Sequence, residues 1–182
     1  MAADPETDVL ILTGPPGAGK STVAADLARR CERGVHLESD AFFHFIASGY
    51  VEPWRPESHD QNEVVMGIVA EAAAGYALAG YFTVVDGIVI PRWFLGTLRE
   101  VLAGKGLAVA YAVLRVPLQD CVRRVDRREG GPLADPEVIS QLWSQFADLG
   151  ELGGHAVDVA RLEPGAAADA VAAALAAGDL SL

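Results

Sequence analysis

The chain has 182 residues, is 51% hydrophobic and carries 25 acidic against 14 basic side chains, a formal net charge of −11. That length and apolar content fit one globular domain, residues 1–182, with a full core. The acidity disfavours duplex nucleic acid, whose binding needs phosphate neutralisation, and no apolar run approaches the ~20 residues of a membrane span.

Residues 1–8 are short, polar and acidic, unlike a signal or transit peptide, so a cytoplasmic location is expected. Cys31 and Cys121 fit neither a metal spacing nor a disulfide framework and read as small buried helix residues.

Val9 to Thr13 is an apolar, β-branched run that reads as a buried strand. Gly14-Pro15-Pro16-Gly17-Ala18-Gly19-Lys20-Ser21 comes next, and residues 22–30 read as a helix. Strand, glycine-rich turn and helix together give the pattern G-x-x-x-x-G-K-[S/T] its physical meaning as a phosphate-binding loop. Glycines let the backbone curl so that several N–H groups of the loop, among Gly14, Gly17, Ala18 and Gly19, point inward at an anion, with Pro16, which has no N–H, as a further loop contact, and the helix N-terminus adds its partial positive charge. Lys20 then reaches the β- and γ-phosphates, Ser21 ligates Mg²⁺ and Thr22 touches the α-phosphate. A nucleoside triphosphate with Mg²⁺ is the expected ligand, and no base-reading motif chooses between ATP and GTP.

Residues 35–38 read as a second strand ending at Ser39-Asp40, and 41–47 as a helix stopped by Gly49. An irregular insert over roughly 49–60 carries Tyr50, Trp54, Arg55 and His59 as acceptor candidates. A helix is expected over 61–79, a third strand over 81–86, and a helix opened by Pro91. Leu107 to Leu114 reads as a buried strand ending at Arg115. Pro117 starts a helix with Leu118, Cys121, Val122 and Val125 inward. Asp135-Pro136-Glu137 is a helix start whose apolar face runs to Leu149; a last strand over 155–159 and an alanine-rich helix over 166–176 complete the chain. Alternation of strands and helices predicts an α/β fold with a parallel sheet covered on both faces.

In such sheets ligands bind outside the carboxyl ends of the strands, which puts Asp40 and Asp86 beside the glycine loop. Asp86 has the strand-then-acid form of a Mg²⁺-holding group; read otherwise, Asp86-Gly87 is an ordinary turn pair. Asp40 is the natural base for an acceptor hydroxyl or a helix cap, and the two acids could exchange roles, making Asp86 an acceptor contact. Arg123, Arg124, Arg127 and Arg128 are either a solvated face paired with Asp120, Asp126 and Glu129 or a lid, roughly 123–135, that closes guanidinium groups over phosphate. Arg124 and Arg128 are the first choices for the lid role. Arg115 and Arg92 are further crevice candidates, while His36, His44 and His155 read as structural and Trp93 and Trp143 as packing.

The glycine loop, Ser39-Asp40, Val85-Asp86-Gly87 and Leu114-Arg115-Val116-Pro117 followed by Cys121-x-x-Arg124-x-x-x-Arg128 resemble the small P-loop kinases, in particular the branch of chloramphenicol phosphotransferase and related antibiotic kinases. The resemblance spans nearly the whole chain. It implies a five-stranded sheet in the order 2-3-1-4-5 with a helical lid, ATP and Mg²⁺, and γ-phosphoryl transfer to an alcohol, an antibiotic being one such acceptor. It places a base at Asp40, lid arginines at Arg124 and Arg128, and the adenine near 161–165. The acceptor signatures of shikimate, gluconate and adenylate kinases are not found. The expected partner is a small hydroxylated molecule, with neither membrane nor nucleic acid, and a homodimer is compatible with the sequence. Two other classes stay open: a nucleotide-dependent switch with a protein partner, and a nucleotide or polynucleotide-end kinase.

Overall fold

In the computed structural model, which describes residues 7–126 and 135–182, five parallel strands form one sheet in the order β2-β3-β1-β4-β5. They are β1 (Val9–Thr13), β2 (Gly34–Glu38), β3 (Phe82–Asp86), β4 (Val109–Arg115) and β5 (Ala156–Asp158). The expected order is the observed one. In the register Asp86 lies opposite both Leu12 and Glu38. The ends of β1, β2 and β3 therefore come level, and the loops that leave them open onto the same edge.

A parallel sheet covered on both faces needs strands that are apolar throughout, and β1 is wholly buried. Even Thr13 is buried, its hydroxyl accepting from the Val89 N–H at 2.8 Å. Alternation along the strands sorts the side chains into two cores. Val9, Ile11, Val85 and Tyr111 pack under α3 (His59–Leu78) and α4 (Leu95–Gly104). Leu10, Leu12, Val84 and Leu114 pack under α1 (Lys20–Arg29), α5 (Leu118–Asp126) and α7 (Pro164–Ala176).

Several boundaries differ from expectation for visible reasons. The helix expected over 41–47 is α2 (Ser39–Phe43), so Asp40 lies in its first turn. Ser39 is buried there because Gly87 leaves it room: a Cβ on Gly87 would run into Ser39 Oγ. The residues from Pro91 to Phe94 form turns before α4, with Trp93 N–H donating to Ile90 O at 3.0 Å. α6 (Pro136–Ser144) starts as predicted, capped by Asp135 Oδ1 accepting from the Glu137 N–H. It stops five residues short of Leu149 because its residues serve two cores: Ile139 packs on one face of the sheet, Phe146 and Leu149 on the other. A straight helix cannot reach both, so the chain turns at Ser144 and passes through a 3₁₀ segment, Gly150–His155, into a short β5. Cys31 falls in the turn after α1 and is half-buried, whereas Cys121 is buried as expected. The C-terminus, unassigned from sequence, adds to β4: Tyr111 N–H donates to Leu180 O and Leu182 N–H to Val109 O.

Candidate active site

The phosphate loop is built by three glycines at positive φ: Gly14 (144°), Gly17 (79°) and Gly19 (97°). Two are also fixed by close approach. A Cβ on Gly14 would lie 2.7 Å from Leu114 O, and one on Gly17 would lie 2.6 Å from Cys121 O. α5 is thus packed directly on the loop. α1 begins at Lys20, and its first turn carries no acidic side chain, which leaves the helix N-terminus electropositive. Lys20 Nζ donates to Pro15 O at 3.2 Å. Arg124 reaches over from α5, its Nη1 lying 3.4 Å from both Gly17 O and Ala18 O. Ser21 and Thr22 are exposed in the first turn of α1.

Beside the loop lies a cavity of about 350 Å³. Pro16, Gly17, Lys20 and Ser21 form one wall, Asp40 and Asp86 the polar floor, and Tyr50, Pro53 and Trp54 the side toward the insert. Asp40 is open to the cavity yet enclosed by protein, and burial pushes its carboxyl above the usual carboxylate range. Lys20 opposes that rise and Asp86 adds to it. A carboxylate in this setting holds a proton more readily than one in water, which is what a general base needs.

Asp86 is buried, and His36 Nε2 stands 3.2 Å from its Oδ2, with Glu38 Oε1 4.0 Å from His36 Nδ1. His36 is therefore part of the site's surroundings, which the sequence reading missed. The available signal was alternation: His36 and Glu38 share a face of β2. His44, also read as structural, lines the cavity, while His155 Nδ1 contacts Tyr111 O as a packing residue.

Ser21 and Asp86 both line the cavity and offer a hydroxyl and a carboxylate, the hard oxygen donors that suit Mg²⁺. Among the described residues no group of three or more His, Cys, Asp and Glu forms a protein cage for a metal. This donor set fits a cation that shares its coordination with nucleotide phosphates.

The insert is held by α3 and the turn before it. Gln61 bonds both the N–H and the carbonyl of Val51, at 2.8 and 2.7 Å. Asn62, fully buried, donates to Pro53 O and Ser58 Oγ, both at 2.8 Å. Ser58 Oγ in turn lies 2.7 Å from Arg55 O and 2.9 Å from Pro53 O. Tyr50 and Trp54 are thereby brought to the cavity.

Arg55, His59 and Arg92 are not brought to it. Arg55 is exposed and pairs with Glu52 at 3.0 Å, His59 opens α3 on its exposed side, and Arg92 is exposed in the turn before α4. Arg115 is exposed at the end of β4, outside the cavity lining, and Arg123 pairs with Asp120 at 2.7 Å on the outer face of α5. Arg127 and Arg128, with most of the expected lid, lie outside the described residues. The largest omission from the sequence reading is the apolar wall: Phe43, Met66, Ile88, Ile90, Trp93, Phe94, Val125 and Leu142. Its one visible sign was the Ile88-Val89-Ile90 run after the strand acid.

A parallel 2-3-1-4-5 sheet whose first strand runs through a glycine loop into α1 is the fold of the small P-loop kinases. Residues 9–149 match the AAA domain family, and the chain belongs to it. Solved structures share the fold across nearly the whole length. A gluconokinase from Sinorhizobium meliloti 1021 is 21% identical with a TM-score of 0.72, covering 97% of this chain and 95% of its own. A sugar kinase from Janibacter sp. HTCC2649 is 21% identical at 0.68, with 96% and 95% covered. A tunicamycin resistance protein from Deinococcus radiodurans is 21% identical at 0.67, with 92% and 94% covered. No curated protein matches the chain by sequence.

Proposed function

We propose that the chain is an ATP-dependent phosphotransferase that moves the γ-phosphoryl group of Mg-ATP to a hydroxyl of a small molecule. The observation that carries this reading is one cavity lined both by the phosphate-loop lysine, Lys20, and by the carboxyls of Asp40 and Asp86. In this reading the loop amides and Lys20 hold the triphosphate, and Ser21 and Asp86 hold the metal. The metal supplies charge neutralisation at the phosphates. Asp40 takes the proton of the acceptor hydroxyl as its oxygen bonds to the γ-phosphorus and the bond to the β-phosphate oxygen breaks, releasing ADP. Arg124, already over the loop, adds positive charge where negative charge develops. Arg128 would share that task.

The compact cavity favours a small molecule over a polynucleotide as acceptor. The fold shared with a tunicamycin resistance protein makes antibiotics sensible members of an acceptor screen, and the one shared with a gluconokinase does the same for sugar acids. The test is Asp40→Asn: transfer is lost while Mg-ATP still binds. Transfer at the parent rate in that variant would contradict the assignment.

A further inference from the structure

The acceptor side of the cavity is far less polar than the phosphate side. Phe43, Met66, Ile88, Ile90, Trp93 and Phe94 form its wall. From these residues we infer that the acceptor is an uncharged alcohol with an aromatic or branched apolar body, seated hydroxyl-first against Asp40. The inference rests on the phosphotransferase reading and narrows it.

Charge argues first. Among the described lining residues the basic side chains are Lys20, which belongs to the phosphate loop, and His44. Neither arginine of this region faces in: Arg55 is exposed and paired with Glu52, and Arg92 is exposed. A sugar acid or a nucleotide would bring a negative charge to a floor that already holds Asp40 and Asp86, with no guanidinium among the described lining residues to pair it. Burying a charge without a partner is strongly unfavourable.

Hydrogen bonding argues next. A polyol buries several hydroxyls, and each needs a partner. The wall offers few: the Trp93 indole N–H is the one polar group among its six side chains, and Ser39, Asp40, His44, Tyr50 and the Trp54 indole N–H are the remaining acceptor-side partners in the described lining. It offers instead flat and branched apolar surface, and that surface is fixed: Trp93 stacks on Phe94 with ring centroids 4.6 Å apart, and Trp54 sits on the strap pinned by Gln61 and Asn62. A rigid apolar wall rewards a matching apolar body.

The experiment uses the full chain with Mg-ATP and two acceptor sets, 2-phenylethanol and 3-phenylpropan-1-ol against gluconate and glycerol. Phosphorylated product is followed by mass, and nucleotide affinity is measured separately with a fluorescent ATP analogue. The expected result is a kcat/KM for the arylalkanols at least about tenfold above that for gluconate and glycerol. Ile88→Glu, a change at a half-buried loop position of the wall, is expected to lower arylalkanol transfer by about tenfold or more with nucleotide affinity unchanged. Gluconate or glycerol as the better substrate would overturn the inference and leave the phosphotransferase reading standing. Transfer to none of the four by a protein that binds Mg-ATP, or an Ile88→Glu variant as active as the parent, would overturn it as well. Failure to bind the nucleotide would remove the underlying reading, and that is read independently of any acceptor.

Discussion

Replacing Asn62 by alanine is expected to loosen the acceptor strap without touching the phosphate loop. The side chain is fully buried and makes two hydrogen bonds of 2.8 Å, to Pro53 O and Ser58 Oγ. Each bond is worth about 1 kcal/mol net, and a buried partner left short of a bond adds to the loss. Ser58 Oγ still reaches Pro53 O and Arg55 O, so the strap is weakened rather than released. The sum is about 2–4 kcal/mol once the small cavity left by the amide is included. For a domain of this size that corresponds to a fall in Tm of roughly 5–12 °C. Urea or thermal unfolding gives the stability, and steady-state kinetics gives KM for acceptor and ATP separately. The reasoning predicts a higher acceptor KM and an unchanged ATP KM, because Trp54 loses its seat while Gly14 to Ser21 do not. A stability loss below about 0.5 kcal/mol, the scale of an unremarkable surface change, would refute it, as would equal rises in both KM values.

Other consequences come from the same geometry. Because burial raises the folded-state pKa of Asp40, the native state is favoured while this carboxyl is protonated, and that advantage is lost as pH rises from the unfolded value of about 3.9 through the higher folded value. Asp40→Asn is therefore expected to unfold at a higher temperature than the parent at neutral pH, with the difference shrinking in acid; transfer in the parent should fall on acidification at a pH above the ordinary carboxylate range. Arg124→Ala is expected to lower kcat about tenfold or more, with Arg124→Lys recovering only part, because an ammonium group lacks the planar fork with which a guanidinium binds phosphate oxygens bidentately. Equal activity of Arg124→Lys and the parent would argue against that role. Gly17→Ala places a side chain at φ 79° and 2.6 Å from Cys121 O, and is expected to cost at least about 1–2 kcal/mol in unfolding experiments and to weaken nucleotide binding.

The elements that declared themselves in the sequence are those governed by local rules. The glycine loop needed positive φ at Gly14, Gly17 and Gly19, and only the residue type had to be read. The strand acids were legible because parallel sheets gather ligands at one edge, and Asp40 and Asp86 do share the cavity. The features that stayed hidden depend on the third dimension. Nothing local says that Phe146 crosses to the other core and ends α6, or that a Cβ at Gly87 would meet Ser39. Tyr50 and Trp54 reach the cavity while Arg55 and His59 do not, because Gln61 and Asn62 set the path of the strap, a pairing between an irregular segment and a helix that has no periodic signature. His36 was passed over because a histidine on a strand is usually packing, and its contact with Asp86 comes from strand order.

Calorimetric titration of Mg-ATP into the parent chain and into Lys20→Ala tests the phosphate cradle itself. The cradle predicts saturable uptake of one nucleotide by the parent, weakened by about tenfold or more when the ammonium group is removed. No uptake by the parent with magnesium in excess, or equal affinity in the two proteins, would contradict it.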